Sequence, residues 1–592
     1  SMFVGCVALA TSCDLTENVQ VKADKSMIFG SKSGLELYSN SFYKALPTLK
    51  NGFMQDKMCD VGAVSNTDTF IKQGAYNTET ATSWSWGALK NVNYFIDGCN
   101  DPKYCTVEAE TRDNYLGIAR WFRAWFYYDK LTTYGEVPWF PNDIQSYQND
   151  VMYKDRDSRD VIIRNLIADL DFAYEHIQAT SSTGSATLTR WAAAALKSRV
   201  CLFEAAYRRY HNLTGLEITP EELYREAAKA AKLVIDNSGC SLNTAAGKKG
   251  AYRDLFYSET PLTQEVILAV CANEKSGIFG EQNWWFNARS YGLCWSLVRS
   301  FVHTYLKQDG TPFTAAADYA VKSFAEEMEG RDLRLEQTVR GRNFLWDGKT
   351  AVADIKNLSL TGYQVIKYTL DESKYDGGAK NINSIPLIRY AEVLLNYAEA
   401  QAELGVITDS EWALTVGALR KRAGITGGTE TLPTTVDSYL QRTFYPDVTS
   451  PVLLEIRRER AIELVAEGMR FDDLRRWKCG SLMETLRWSG IHIPGLEQPV
   501  DVNGDGVNDY YFTEGEVASA PAAYKNIAVR VNQDGVGLYA EANPVSGYDL
   551  VYKTGAGDRY WYPDGRQYLY PIPAKVIRDY RNAGYTISQN PE

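Results

Sequence analysis

The chain has 592 residues, 45% hydrophobic and 23% charged, enough for a large core and, on length alone, for more than one domain. Its 63 Lys and Arg against 74 Asp and Glu leave a formal net charge of -11, which argues against nucleic acid or anionic lipid as the main partner. Aromatic residues make up 12%, with 39 Tyr and 14 Trp, more than stacked cores alone require of a mostly helical protein.

Taken in order, residues 3–12 (FVGCVALATS) form a short apolar run of small residues before Cys13. This reads as the tail of a secretion signal without its basic start. Residues 35–51 and 84–98 read as the first helices, with a polar loop between them. The segment CNDPKYC follows. Its Asn, Asp and Pro favour a turn that returns the chain on itself, so Cys99 and Cys105 are expected to form a local disulfide in an oxidising compartment. Two free thiols are the alternative. A long aromatic helix from 108 to 132 places Ile118, Phe122, Trp125 and Phe126 on one face, and it leaves through YGEVPWF. Residues 157–177, 190–210 and 220–237 predict further amphipathic helices, with Thr189 and Thr219 as caps.

From 239 to 384 glycine rises and helical periods weaken, with a short strand expected at 266–270. Helical spacing returns in IPLIRYAEVLLNYAEAQAELG, where Ala391, Leu395, Ala398 and Ala402 recur; Pro386 reads as its first turn and Gly405 as its stop. In LLEIRRERAIELVAEGMRFDDLRRWK, Ile462, Val465, Ala466 and Met469 form an apolar stripe. Arg457, Arg458 and Arg460 alternate with Glu455, Glu459 and Glu463, which predicts an outer face laced by ion pairs. Residues 488–570 are again polar and rich in glycine and tyrosine. No strict repeat period runs through the chain.

Catalytic signatures are thin. His176, His211, His303 and His492 are scattered without zinc-ligand spacing, and no GxSxG, HExxH or P-loop pattern is present. The pairs Asp472/Asp473 and Glu326/Glu327 sit in helical stretches and read as solvated or capping groups. One segment has cation-site spacing. In DVNGDGVND, Asp501, Asn503 and Asp505 alternate, Gly506 permits a sharp turn, Val507 offers a carbonyl and Asp509 takes the ninth position. That is the first part of an EF-hand loop and predicts an optional structural calcium. The twelfth position is Phe512, so a further ligand is expected from Glu514 or Glu516; a polar turn is the competing reading.

The runs IPLIRYAEVLLNYAEAQAELG, VGALRKRAGI, LLEIRRERAIELVAEGMRFDDLRRW and YLYPIPAKVIRDY…QNP resemble the SusD/RagB family in residues and in order. The resemblance implies a mostly α fold: a tetratricopeptide-like superhelix of helical pairs, with loop-rich inserts carrying a few short strands. It implies a signal remnant at 1–12 and one SusD-like domain over 13–592. The scaffold would cover about 35–238 and 385–487, and the inserts about 239–384 and 488–570. Function follows by the same resemblance: a non-catalytic lipoprotein of the outer-membrane surface, anchored through acylated Cys13. It would capture oligosaccharide or polysaccharide for a SusC-like TonB-dependent transporter, with no required cofactor. Peptide capture in the manner of RagB is the alternative; a glycoside hydrolase and a protein-only repeat scaffold are weaker ones.

Sugar rings present C–H faces that stack on indole, and hydroxyls that need amides or charged groups nearby. FGEQNWWFNARSYG supplies both, with Trp284 and Trp285 for stacking and Gln282, Asn283, Asn287 and Arg289 for hydrogen bonds. Trp84 and Trp346, each in polar surroundings, complete the expected platform.

Overall fold

The helical periods become helices largely where the sequence puts them. The computed structural model describes residues 25–52, 56, 59–81, 83–288, 292–553 and 559–590; Cys13 and Arg289 lie outside these. The early helices are α1 (Lys32–Ser39), α2 (Gly87–Asn100), α3 (Ala109–Tyr134), α4 (Arg159–His176), α5 (Arg190–Tyr210) and α6 (Pro220–Asn237). Their starts are chemically marked. Ser31, Ser158 and Thr219 each accept a backbone N–H from three residues on, and Thr219 closes a reciprocal capping box with Glu222 behind Pro220. Thr189 does not cap α5. The first amide of that helix is satisfied by backbone instead, Arg190 N donating to Ala179 O at 3.0 Å.

Consecutive helices pack side by side: α2 on α3, α3 on α4, α4 on α5 and α5 on α6. Helix α5 is the hub. Ala192, Ala193, Ala194 and Ala195 are all buried, and so are Leu196, Val200 and Cys201 below them. Small side chains let neighbouring helix axes approach, and α5 is buried nearly all round, its charged Arg199, Glu204 and Arg208 included, because helices flank it on several sides.

The second scaffold stretch differs from expectation at its start. Residues Ile385–Arg389 form a strand, β2, pairing antiparallel with β1 (Val266–Val270), and helix α7 begins only at Tyr390 and runs to Glu403. Pro386 therefore lies opposite Ala269 in an irregular ladder, not in a helical turn. A two-stranded ladder with register shifts tolerates a residue that lacks an N–H. Gly405, at φ 72°, ends the run as expected. Helix α7 packs on α6 and on α9 (Pro451–Glu463); α8 (Val416–Arg422) and α10 (Arg470–Arg476) flank them.

The alternating charges of α9 do not face water. Arg457, Arg458, Glu459, Arg460 and Glu463 are all buried. Glu463 accepts from Arg389 at 2.7 Å and from Arg334 at 2.8 Å, and pairs with Arg422; Arg389 also reaches Glu265 at 2.9 Å and Glu467 at 2.6 Å. This seam fastens the 239–384 insert, which carries Glu265 and Arg334, to the second scaffold stretch. Burial raises the Glu463 carboxyl, but the guanidinium groups of Arg422, Arg389 and Arg334 outweigh it and hold the group well below the usual range.

The last insert carries β3 (Ser489–Ile493), β4 (Leu538–Ala542) and β5 (Tyr548–Tyr552) in an antiparallel sheet ordered β4-β5-β3. The chain closes with α11 (Ala574–Asn582). Among the described residues no helix is long and apolar enough to cross a membrane.

Candidate functional site

A cavity of about 720 Å³ opens beside the start of α2. Three distant segments wall it: residues 81–93 at the head of α2, the loop after α3 from Phe140 to Tyr153, and the head of α11 from Pro573 to Tyr580. Trp84 and Trp86 stand just before α2 and meet edge to face, ring centres 5.4 Å apart and planes at 74°. Each is half-buried against a ring of α3, Trp84 at 4.9 Å from Tyr134 and Trp86 at 5.5 Å from Phe126, and Trp86 also lies 5.2 Å from Phe140 of the following loop. On the opposite wall Tyr153 meets Tyr580 edge to face at 5.2 Å and stacks on Tyr585 at 5.5 Å.

Polar groups are few and placed at the margins. Lys575 pairs with Asp579 at 2.7 Å, and Asn142 donates to Asp97 at 2.8 Å. The side chains of Lys90 and Ser146 line the cavity without a hydrogen bond or ion pair to another described residue. Beneath the floor, buried Asn93 donates to the carbonyls of Phe140 and Asn142, at 2.8 and 3.1 Å, which ties the α3 exit loop to α2. An aromatic cavity with a few polar groups at its rim suits a ligand with flat C–H faces and peripheral hydroxyls.

Trp84 lies in this cavity; Trp86, Phe140, Tyr153 and Tyr580 are lining residues that sequence reasoning missed. For Trp86 a signal existed in the spacing alone, since Trp84 and Trp86 stand two apart in WSW, beside the residue already singled out. For Tyr153 and Tyr580 none existed, because their approach is purely tertiary.

The other expected platform residues are elsewhere. Trp284 and Trp285 ride on the short helix Gln282–Asn287, both half-buried; the Trp285 indole N–H donates to Glu281 at 3.2 Å. Asn283 does not face a ligand: it is fully buried. Its amide donates to Leu370 O and accepts from Leu370 N, both at 2.8 Å, and accepts from Asn381 at 2.7 Å. No donor or acceptor is left for a ligand. Trp346 lies in the hairpin of Leu345–Trp346 and Lys349–Thr350, with the Arg340 guanidinium 5.3 Å from its ring centre. The tryptophans of the inserts do not line the Trp84–Trp86 cavity.

Cys99 and Cys105 are free thiols, not a disulfide. The expected turn is there, Tyr104 and Cys105 donating to Asp101 O at 3.1 and 2.9 Å. Burial and the neighbouring thiol push Cys99 far up, so the thiolate needed for exchange is scarce. In the loop before strand Tyr510–Thr513, Asp501 accepts from Gly504 N and Gly506 N, both at 2.7 Å, Asp505 from Val507 N at 2.9 Å, and Asp509 from Val502 N at 2.8 Å. Asn503 is buried beside them and accepts from Asp505 N at 3.2 Å. The expected twelfth ligands point elsewhere: Glu514 accepts from Asn532 at 2.7 Å and Glu516 pairs with Arg530 at 3.2 Å. Among the described residues no group of three or more His, Cys, Asp or Glu converges as metal ligands.

The paired carboxylates are structural. Asp473 is buried between Arg460 and Arg476, at 2.8 and 2.9 Å. Glu326 caps Ser323, and buried Glu327 meets Arg299 at 3.0 Å and His303 at 2.9 Å. Burial raises Glu327, but Arg299 and His303 bring it down to about 2, an ionised anchor without the raised affinity for protons that a general acid needs.

The chain thus combines a helical scaffold, small strand-bearing inserts and an aromatic cavity. The chain belongs to the SusD family, whose model matches residues 264–592. Three solved structures share the fold. A SusD-like carbohydrate-binding protein of Bacteroides fragilis matches with a TM-score of 0.67 at 19% identity, over 94% of this chain and 99% of that one. A second SusD-like protein of Bacteroides fragilis gives 0.64 at 20% identity, over 96% and 98%. A SusD superfamily protein of Parabacteroides distasonis gives 0.57 at 18%, over 94% and 98%. No curated protein matches the chain.

Proposed function

We propose that this protein is a non-catalytic glycan-binding lipoprotein of the outer-membrane surface. It holds an oligosaccharide in the Trp84–Trp86 cavity and passes it to a SusC-like TonB-dependent transporter. The cavity itself carries this reading: about 720 Å³, within the range of small-molecule sites, with crossed indoles on one wall and tyrosines on the other. Membership of the SusD family and the fold shared with a carbohydrate-binding protein support it. The flat aromatic walls favour sugar rings over peptide, and none of the described lining residues lies in a strand to which a peptide could add.

The test is a calorimetric glycan screen on the soluble protein, followed by Trp84→Ala and Trp86→Ala on whichever glycan binds. Each substitution should weaken binding about threefold to tenfold, since an aromatic contact contributes about 0.5–1.5 kcal/mol beyond area burial. Unchanged affinity in both variants would move the ligand off this cavity, and hydrolysis of the bound glycan would turn the protein into an enzyme. Anchoring is tested separately: the native N-terminal peptide should carry an acylated Cys13, and a peptide running unmodified through Ser12–Cys13 refutes it.

A further inference from the structure

We infer that Lys130 is the positioning residue of the ligand cavity, its ammonium group holding in place the strained turn that presents Trp84 and Trp86. This rests on reading the cavity as the ligand site.

Phe126, Lys130 and Tyr134 stand four residues apart on α3 and so share one face. The outer two support the tryptophans, Phe126 under Trp86 at 5.5 Å and Tyr134 against Trp84 at 4.9 Å. Lys130 lies between them, its Nζ 5.2 Å from the Phe126 ring centre and 5.9 Å from that of Tyr134. The same Nζ donates to the carbonyl of Ser83 at 2.9 Å. Ser83 immediately precedes Trp84, and its φ is 77°. That is the left-handed region, which a residue with a Cβ occupies only where its surroundings compel it.

A charged amine in such a place needs an explanation. Lys130 is only 5% exposed. Burial lowers its proton affinity, with Asp129 opposing. Asp129 stands at 3.7 Å, an ion-pair contact longer than a hydrogen bond, and its side chain lies on the outer edge of the helix. The hydrogen bond of the ammonium thus goes to the Ser83 carbonyl, with Asp129 farther off and the rings that carry the tryptophans on either side. A methionine would fill nearly the same volume and keep the ring contacts. It would leave the Ser83 carbonyl unpaired and the left-handed turn without its tether.

The test needs no ligand at its first step. In protein labelled with 5-fluorotryptophan, the fluorine resonances of positions 84 and 86 are assigned from Trp84→Phe and Trp86→Phe. Lys130→Met should shift or broaden both and leave the remaining tryptophan resonances in place; Lys130→Arg should restore them. If Lys130→Met fails to fold, Lys130→Gln, a shorter donor, is read the same way. Resonances that stay put in the folded variant overturn the proposal. With a bound glycan in hand, Lys130→Met should weaken binding about tenfold, the loss of one charge-assisted hydrogen bond. In a Trp84→Ala/Trp86→Ala background it should add nothing; a further full loss there would overturn the claim that Lys130 acts through the tryptophans. Shifted resonances in a protein that binds no glycan would uphold the positioning role and reject the glycan reading.

Discussion

Trp84 and Trp86 stand over an open cavity, whereas Trp284 and Trp285 ride on a short helix whose neighbours Gln282 and Asn283 are fully buried. Both pairs sit among Ser, Asn, Gln and Gly, and local composition does not separate them. What lies beneath does. The first pair rests on rings of one rigid helix, with space above. The second belongs to an insert clamped from below by amide and charge networks, where a polar neighbour serves the fold before it can serve a ligand. An aromatic beside polar residues thus marks a binding surface only when those polar groups keep free valences.

This contrast can be broken or sharpened by substitution. The largest effect is expected at the seam that fastens the insert. Glu463→Gln removes one buried charge from Arg334, Arg389 and Arg422, and should cost about 3–5 kcal/mol in a denaturant melt. Glycan affinity of the surviving folded protein should not change, since the seam is remote in contacts from the cavity. A loss of affinity at full folding would show that the two regions are coupled.

Acid should probe the scaffold between them. Burial raises Glu399, but Arg476, Arg460 and Arg457 bring it down to about 2, against an ordinary value of 4.5. Its folded affinity for protons is depressed, so its contribution is fully present above pH 4.5 and is lost as pH falls from there towards 2. The amount is on the order of 3 kcal/mol. Stability measured from pH 5 to 3 should fall with a steeper slope in the wild type than in Glu399→Gln, which starts lower and has no such carboxyl to protonate. Equal slopes would reject this group as a source of acid lability.

Asn283→Ala should cost about 2 kcal/mol, because Leu370 and Asn381 lose their partners in a buried site, and should leave glycan binding intact. A variant that keeps its stability and loses its ligand would reinstate Asn283 as a binding residue. Exchanging the aromatic pairs sharpens the contrast directly. Alanine at Trp84 or Trp86 should weaken glycan binding by about 0.5–1.5 kcal/mol, and alanine at Trp284 or Trp285 should leave it within about twofold. The smallest effect concerns the Asp501–Asp509 loop, for which we propose weak calcium binding. Millimolar calcium added to chelator-treated protein should stabilise it by about 1 kcal/mol, and Asp505→Ala should abolish the gain. No calorimetric heat leaves the loop a self-satisfied turn.

Helices α5 and α6 run over the residues their periodicity assigns, and Thr219 caps α6 as expected, because periodicity and capping are settled within a few residues of chain. The family scaffold was legible for the same reason: its motifs are runs of local helical chemistry. Trp84 was singled out as an aromatic in a polar segment, and it lies half-buried at the wall of the cavity. What decided against the rest was contact between distant segments. Ile385–Arg389 became a strand because β1 lay beside it, and the helix pattern that follows gives no warning of that. The alternation of Arg and Glu along α9 reads the same whether water or complementary charge faces it, and only the arrival of Glu265, Arg334 and Arg389 turned a solvated face into a buried seam. Asn283 lost its ligand role to Leu370 and Asn381, about 90 positions away. The cavity belongs wholly to tertiary structure: its walls come from three segments, around Trp84, around Phe140 and Tyr153 and around Tyr580, and a lysine of α3 reaches back to the carbonyl of Ser83 beside them. A single sequence states which residues are aromatic or charged; which of them keep a free face is set by what the fold places against them.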